Sequence, residues 1–314
     1  MNEQATPLTP AENRASNQQL VDLLDAGQDK KASSINTTYI RRIIREDGFY
    51  RRLFNPTQVL ASDLQRDVLI KKPMVVIDVE PLSPASYSLP FGATPGELQM
   101  FGARCRLVMD RISTQTMTVD TAELATYSMD LRQVMSDQIL RDYLAEEDSK
   151  LIQAVQTCLV GANVVTPNAG SIQWKTQNGG VTSVAISDSF NIMQGTISSI
   201  PVETVLLNNL TMQQIVTAVL QESDGSLLER VMKDGFAETE YLGKRIIVTI
   251  KRSLVPTGTF YHFGPMTHLG VGLFYEDITM ALKKERYFIQ FGAYGCGGMV
   301  IGNVNALARV DMLP

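Results

Sequence analysis

Residues 128–161 read SMDLRQVMSDQILRDYLAEEDSKLIQAVQTCLVG, and no proline or glycine interrupts them before Gly161. Leu131, Val134, Met135, Ile139, Leu140, Tyr143, Leu144, Leu151, Ile152, Val155, Cys158 and Leu159 recur three or four apart, which keeps them on one broad stripe of a helix. Arg132, Asp137, Arg141, Glu146 and Lys150 fall largely off that stripe. Ser128 or Asp130 can cap the start, and Gly161 stands where a left-handed terminating residue is wanted. At about 1.5 Å per residue the helix would be roughly 45–50 Å long, about three times the usual length. A helix this long in mid-chain, apolar along one face, predicts a spine on which flatter layers are hung. The run Glu146-Glu147-Asp148 reads as a solvated face, because consecutive acids point around the circumference of a helix rather than converging as an acid–base pair.

Upstream of the spine, PMVVIDVE (73–80) and ARCRLVMDRI (103–112) are rich in β-formers. In the second, Ala103, Cys105, Leu107 and Met109 alternate with Arg104, Arg106, Val108 and Asp110, the period of a strand with one apolar and one wetter face. Between the two lies PLSPASYSLPFGATPGELQMFG, whose four prolines predict a rigid, irregular tip. An isolated two-stranded ribbon is marginal in water, so its partner is expected on another chain. Residues 1–19 are polar, and Leu20, Val21, Leu23 and Leu24 allow a short amphipathic turn. In INTTYIRRIIREDGFYRRLFNP, Arg41, Arg42, Arg45, Arg51 and Arg52 interleave with isoleucines and aromatics. Such an arm is too apolar for a free linker and too thin to fold alone, so it should lie along its own subunit or a neighbour. Arginines with aromatics can grip phosphate and stack on bases, but Glu46 and Asp47 among them favour pairing with protein.

Downstream, residues 161–187 are turn-rich and carry the only tryptophan, Trp174. Asp188 can cap a short helix holding Phe190, Met193, Ile197 and Ile200, with Pro201 ending it. VETVLLNN (202–209) reads as a buried strand, and Thr211 opens a further helix, so a small α/β layer is expected. Residues 222–242 are polar and loop-like. From Gly243 the runs RIIVTIKR, GTFYHFGP, VGLFYEDITMALKK, RYFIQFGAYGC and GGMVIGNVNALARVDML are strand-like, predicting a meander or sheet beside the spine.

The chemistry-bearing residues are sparse. Lys and Arg number 28 against 33 Asp and Glu, a net charge of −5 that gives the chain no general pull toward nucleic acid or anionic membrane. The three cysteines, Cys105, Cys158 and Cys296, share no metal-type spacing and suit a reducing compartment. No secretory signal or membrane-length apolar run is present, so the chain is expected in the cytosol, leaving only on lysis. His262 and His268, six apart across a Gly-Pro turn, lack further ligands and read as exposed loop residues rather than a metal site. The glycines of FGAYGCGG (291–298) precede a strand-like run rather than a helix, so they read as a tight turn and not a dinucleotide loop. No catalytic, cofactor or metal residues are assigned. Lys71 and Lys72 read as solvated lysines guarding a strand edge.

Arm, long β excursion, spine helix, α/β layer and late strands, in that order, resemble the major capsid proteins of tailed bacteriophages, the Hong Kong 97 type. The likeness is carried by REDGFYRRLFNP, VEPLSPASYSLPFG, RCRLVMDRIS and DTAELATYSMDLRQVMSDQILRDYLAEED, and again by GKRIIVTIKRSLVPTGTFYHFGPMTHLG and the closing NALARVD. It runs over about 40–160 and 202–314. The resemblance implies an α+β fold with an N-terminal arm (1–58), an extended β-hairpin loop with flanking strands (59–127), the spine helix of a peripheral domain (128–161), a mainly axial domain (162–270) and C-terminal strands completing the peripheral domain (271–314).

It further implies a virion protein, assembled in the host cytoplasm, whose hexamers and pentamers close an icosahedral shell around double-stranded DNA without sequence-specific binding. A portal, possible decoration proteins and a separate scaffolding protein would be its partners, the last because little sequence precedes Ile40. Contact with neighbouring copies is expected at Arg41, Arg42, Arg45, Arg51, Arg52, Lys71, Lys72, Tyr87, Phe91, Arg132, Arg141 and Glu146. The rival readings are an encapsulin-like compartment of the same fold and, more remotely, an enzyme with an unrecognised site.

Overall fold

A computed structural model describes residues 48–66, 71–80, 88, 102–126, 131–165, 173–196, 198–221 and 238–313. The spine helix, labelled α3 below, spans Leu131–Val165, roughly 50 Å at the usual rise. It runs through Gly161 instead of stopping there. A glycine inside a helix costs only about 1 kcal/mol, whereas Pro167 disfavours helical backbone at the residue before it, so the helix ends just ahead of the proline.

Burial on the spine falls on Ile139 and Leu140, Tyr143 and Leu144, Glu147 and Asp148, Leu151 and Ile152, then Val155 and Leu159. A period of four on a helix of 3.6 residues per turn rotates the buried stripe by about 40° at each step. The two halves therefore face different cores. Met135, Ile139, Leu140, Tyr143 and Leu144 pack with Ile278, Met280, Leu282, Ile289, Phe291 and Ala293. Leu151, Ile152, Val155 and Leu159 join a second, larger core.

The first core lies on a sheet built from a long hairpin, β12 (Gly270–Glu285) and β13 (Phe288–Ile301). The strands β5 (Asp110–Ser113) and β6 (Met117–Asp120) pair with β13, and β1 (Thr57–Gln58) pairs in parallel with β12. Met280 faces Ala293 and Leu282 faces Phe291 across the hairpin, so alternate residues supply the buried face. The short helix α2 (Thr121–Thr126) leads from β6 toward the spine.

The glycine cluster is not a turn. Gly292, Gly295, Gly297 and Gly298 all lie within β13. A Cβ on Gly298 would stand 2.5 Å from Val108 O and 2.8 Å from Leu107 Cδ2, and one on Gly295 would strike the Tyr143 hydroxyl. The glycines let the incoming ribbon and the spine cross the strand at backbone distance.

That ribbon pairs β3 (Pro73–Val79) with β4 (Ala103–Val108), antiparallel from Met74↔Val108 to Val79↔Ala103, with β2 (Gln65–Arg66) on its flank. Its root is fastened by Leu107 and Met109, buried with Val59 and Cys296. Outward from the root, Val75, Val76, Ile77 and Cys105 are only half covered. The proline-rich tip expected between the strands lies outside the described residues.

The second core surrounds a six-stranded sheet in the order β7 (Trp174–Asn178), β14 (Leu307–Leu313), β11 (Thr259–Phe263), β8 (Thr204–Asn208), β10 (Lys244–Thr249), β9 (Glu238–Tyr241). β10 runs parallel to β8, and β14 to β7; the other pairings are antiparallel. β8 and β11 are buried along their whole lengths, so the sheet is covered on both faces. On one face Tyr261 accepts a hydrogen bond from spine residue Gln156 at 3.2 Å. On the other, His262 meets Phe190 at the end of α4 (Ser183–Phe190). The helix α5 (Asn209–Gln221) follows β8, and a single turn, α6 (Met266–Leu269), precedes β12.

Three local expectations change here. Thr182, not Asp188, caps α4, its side-chain oxygen accepting from Ala185 N–H at 3.2 Å. Met193 and Ile200 are buried in the turns beyond that helix rather than on it. Residues 271–314 do not form one layer. The 3₁₀ turn Val304–Ala306, where Asn303 Oδ1 accepts from Asn305 N–H, sends β14 across to the second sheet, in which Leu307, Ala308, Val310 and Met312 are buried.

Candidate functional site

Charge enters the buried stripe of the spine where Glu147 and Asp148 occupy positions that the period of four assigns to the interior. Both are buried, and Asp148 has no exposed surface, so the expectation of a solvated acidic face fails for these two and holds only for exposed Glu146. Their partners come from remote segments. The helix α1 (Phe49–Phe54) packs Phe49, Tyr50, Leu53 and Phe54 into the second core. This lays Arg51 against the spine, where Nε donates to Glu147 Oε2 at 2.8 Å and Nη2 to Oε1 at 3.0 Å. The third guanidinium nitrogen, Nη1, donates to Asp277 Oδ1 of β12 at 2.9 Å. Asp148 Oδ1 accepts from Tyr50 N–H at 2.9 Å, and its Oδ2 pairs with Lys251 Nζ, just beyond β10, at 2.6 Å. One node of charge thus ties together the N-terminal segment, the spine and both sheets.

Burial drives the electrostatics of this node. It pushes the Glu147 carboxyl above the ordinary carboxylate range, with Arg51 pulling the other way, and does the same to Asp148 against the pull of Lys251. Burial, and then the charge of Glu147, raise the Tyr50 and Tyr143 phenols. A raised carboxyl that is still held in two or three charge-assisted hydrogen bonds is a structural clasp. No member of the node is left free to act as a base.

Beside the node opens a cleft of about 370 Å³. Leu273, Phe274, Gly297 and Gly298 line it together with Arg51 and Glu147. A second cleft of about 300 Å³, between the spine and β5, shares Ile112, Tyr143 and Lys150 with it. Cys296 is the thiol at this wall; burial raises its pKa, which disfavours the thiolate a nucleophile needs. Among the described residues no three His, Cys, Asp or Glu side chains gather as a metal site would require, and no helix is long and apolar enough to cross a membrane.

The predicted contact residues divide three ways. Arg41, Arg42, Arg45, Tyr87 and Phe91 lie outside the described residues, and of Arg132 only the backbone is described. Arg51 lies inside the protomer, its guanidinium paired with two carboxylates of its own chain. Arg52 is half-buried on the same helix, its carbonyl accepting from Arg245 at 3.4 Å. The remainder are at the surface. Lys71 and Lys72 are exposed, with Lys72 Nζ 2.6 Å from Asp110, and Arg141 and Glu146 project from the spine.

His262 corrects the expectation of an exposed loop histidine. It lies on β11 with no exposed surface, stacked 6.3 Å from Phe260 and edge-on to Phe190 at 5.9 Å. Neither ring nitrogen has a partner among the described residues. Burial lowers its pKa to about 3, so the ring is neutral.

No protein-family model matches the chain, and no curated protein sequence does. Solved structures do. A chain from Mycobacterium phage Bobi superposes with a TM-score of 0.61 at 13% identity, over 85% of this chain and 91% of that one. The mature capsid of bacteriophage PhiM1 matches at 0.54 and 9% identity, over 85% and 88% of the two chains. The capsid of cyanophage P-SCSP1u matches at 0.55 and 10%, over 82% and 86%. With identities this low the agreement is one of architecture, and it extends over more than four-fifths of each protein. The chain has the phage capsid fold, the Hong Kong 97 type that its sequence blocks resemble.

Proposed function

We propose that this chain is the major capsid protein of a tailed bacteriophage, many copies of which close an icosahedral head around double-stranded DNA. The observation that carries the reading is the match in architecture to phage capsids along more than four-fifths of the chain. The ribbon β3–β4 supports it, because its valines and isoleucine are only half covered among the described residues and would gain cover against a neighbouring copy. The spine and the β12–β13 sheet serve as the peripheral domain. The sheet from β7 to β14 serves as the axial domain that meets its copies around five- and six-fold centres.

The net charge of −5 suits a wall that encloses DNA without gripping it. A portal and a scaffolding protein are the partners this role requires, and the finished protein resides in the virion after assembly in the host cytoplasm. The test is electron microscopy of the purified chain, alone and with its scaffolding protein. Closed shells of uniform size are expected, and a small discrete oligomer under every condition would overturn the proposal. DNA inside shells recovered from infected cells separates a virus head from a protein-filled compartment of the same fold. Removing residues 1–47 should leave a folded protomer with impaired closure. A cut at 58 would also remove Phe49, Tyr50, Leu53 and Phe54 from the core.

A further inference from the structure

The strand β7 sits at the edge of the second sheet and ends at Asn178-Gly179, the one Asn-Gly pair in the sequence. Arg309 N–H donates to Gln173 O at 2.7 Å, which sets the phase of the parallel ladder: odd-numbered N–H groups of β7 meet carbonyls of β14. Continued by one residue, this phase would give Leu313 O to Gly179 N–H. Gly180 N–H takes that carbonyl instead, at 2.8 Å. Gly179 N–H is left with no backbone partner among the described residues. Asn178 is exposed, and its side-chain amide has no hydrogen-bond partner among those residues either. Gly179 and Gly180 take φ of 105° and 75°, and among the described residues no atom beyond their chain neighbours lies within 4 Å of where a Cβ would stand on either.

The geometry points to Asn178-Gly179 as a site of spontaneous main-chain modification. The reaction needs a backbone nitrogen free of the ladder, no side chain on its own residue to obstruct it, and an unheld asparagine amide. All three meet here. The Gly179 nitrogen loses its proton and bonds to Cγ of Asn178; the Cγ–Nδ2 bond breaks and the amide nitrogen leaves as ammonia. Water then opens the resulting cyclic imide at either carbonyl. One opening gives aspartate at 178, and the other gives isoaspartate, in which Cβ has entered the main chain. Both add a negative charge, and the second lengthens the backbone directly before the Gly180–Leu313 hydrogen bond that closes the C-terminal strand.

The experiment incubates the purified full-length chain, folded and urea-unfolded, in mildly alkaline and mildly acidic buffer. It follows the peptide containing residue 178 by mass mapping and by isoaspartyl methyltransferase labelling. A gain of one mass unit and methyl label at residue 178 are expected in the folded chain, increasing with time and faster in alkali. Asn178→Gln, an exposed substitution, should lose both signals while unfolding at the same urea concentration. Conversion at 178 in the unfolded chain but not in the folded one would overturn the inference, because the fold would then protect the site. So would conversion of the folded chain at another asparagine first.

Discussion

Removing the Arg51 side chain while keeping its apolar stem, as in Arg51→Met, tests what the charge node does. The guanidinium makes two hydrogen bonds to Glu147 and one to Asp277, and the paired side chains are 13%, 9% and 20% exposed. Three charge-assisted hydrogen bonds at about 1.5–3 kcal/mol each set a gross loss of about 4.5–9 kcal/mol. Water entering from the adjoining cleft offsets part of that, so a net loss of about 3–5 kcal/mol is expected, as for other buried pairs deprived of one partner. A domain of ordinary stability, about 5–15 kcal/mol, loses a large fraction of its margin to such a change.

The assay is urea unfolding of the unassembled protomer, followed by the fluorescence of Trp174, the only tryptophan in the chain. The pH dependence gives a second readout. The folded-state pKa of Glu147 is already raised by burial and would rise further without Arg51. A carboxyl raised in the folded state stabilises below its unfolded pKa and loses that contribution as pH climbs through the folded one. The penalty of Arg51→Met should therefore shrink on acidification toward the usual carboxylate range. A loss below about 1 kcal/mol, independent of pH, is the signature of an exposed ion pair and would refute the reasoning. Replacing Arg51, Glu147 and Asp277 together with apolar residues should recover most of the lost stability.

Two further outcomes follow from buried polar groups elsewhere. His262→Leu removes two unpartnered ring nitrogens and should raise stability by about 1 kcal/mol at neutral pH. Because the folded pKa of about 3 lies below the unfolded value near 6.5, wild-type stability falls as pH drops through that interval, and the advantage of the variant should widen there; an unchanged pH slope would argue against it. Asn208 accepts from Thr211 N–H at 2.7 Å and donates to Val255 O and Thr257 Oγ1 at 3.0 and 3.2 Å. Asn208→Ala should cost about 2–4 kcal/mol, combining a lost helix cap with stranded partners, whereas a loss under 1 kcal/mol in the same urea assay would show that water replaces the side chain.

Much of the architecture was legible because it rests on local periodicity. The spine, the ribbon strands and the alternating residues of β12 all declare themselves within a dozen positions. His262 was misread as an exposed loop residue, although in FYHF no polar residue alternates with the aromatics, which is the pattern of a strand buried on both faces. Glu147 and Asp148 carried a signal that was overlooked, since they stand four residues after Tyr143 and Leu144 and four before Leu151 and Ile152. Their partners Arg51 and Lys251 were not legible, standing 96 and 103 residues away along the chain, and Asp277 stands 226 residues from Arg51. The glycines of β13 misled because a glycine needed for close backbone approach looks, in sequence, the same as one needed for a turn.

The position of the charge node follows from the winding of the spine. A stripe of period four turns by about 120° between Ile139–Leu140 and Leu151–Ile152, so each half of the helix can satisfy its own sheet. Between the halves, the helix faces neither sheet squarely. Apolar contacts there would be indifferent to small rotations of one sheet against the other, because dispersion and hydrophobic burial have little directionality. Arg51 has a planar fork that accepts two carboxylates in one geometry only, and those carboxylates come from the spine and from β12. Lys251 brings in the second sheet through Asp148. The node is thus placed where direction, more than affinity, is missing. On this argument the triple apolar variant keeps its stability and loses uniformity of shape, which heterogeneous shells would reveal and a population as uniform as wild type would contradict.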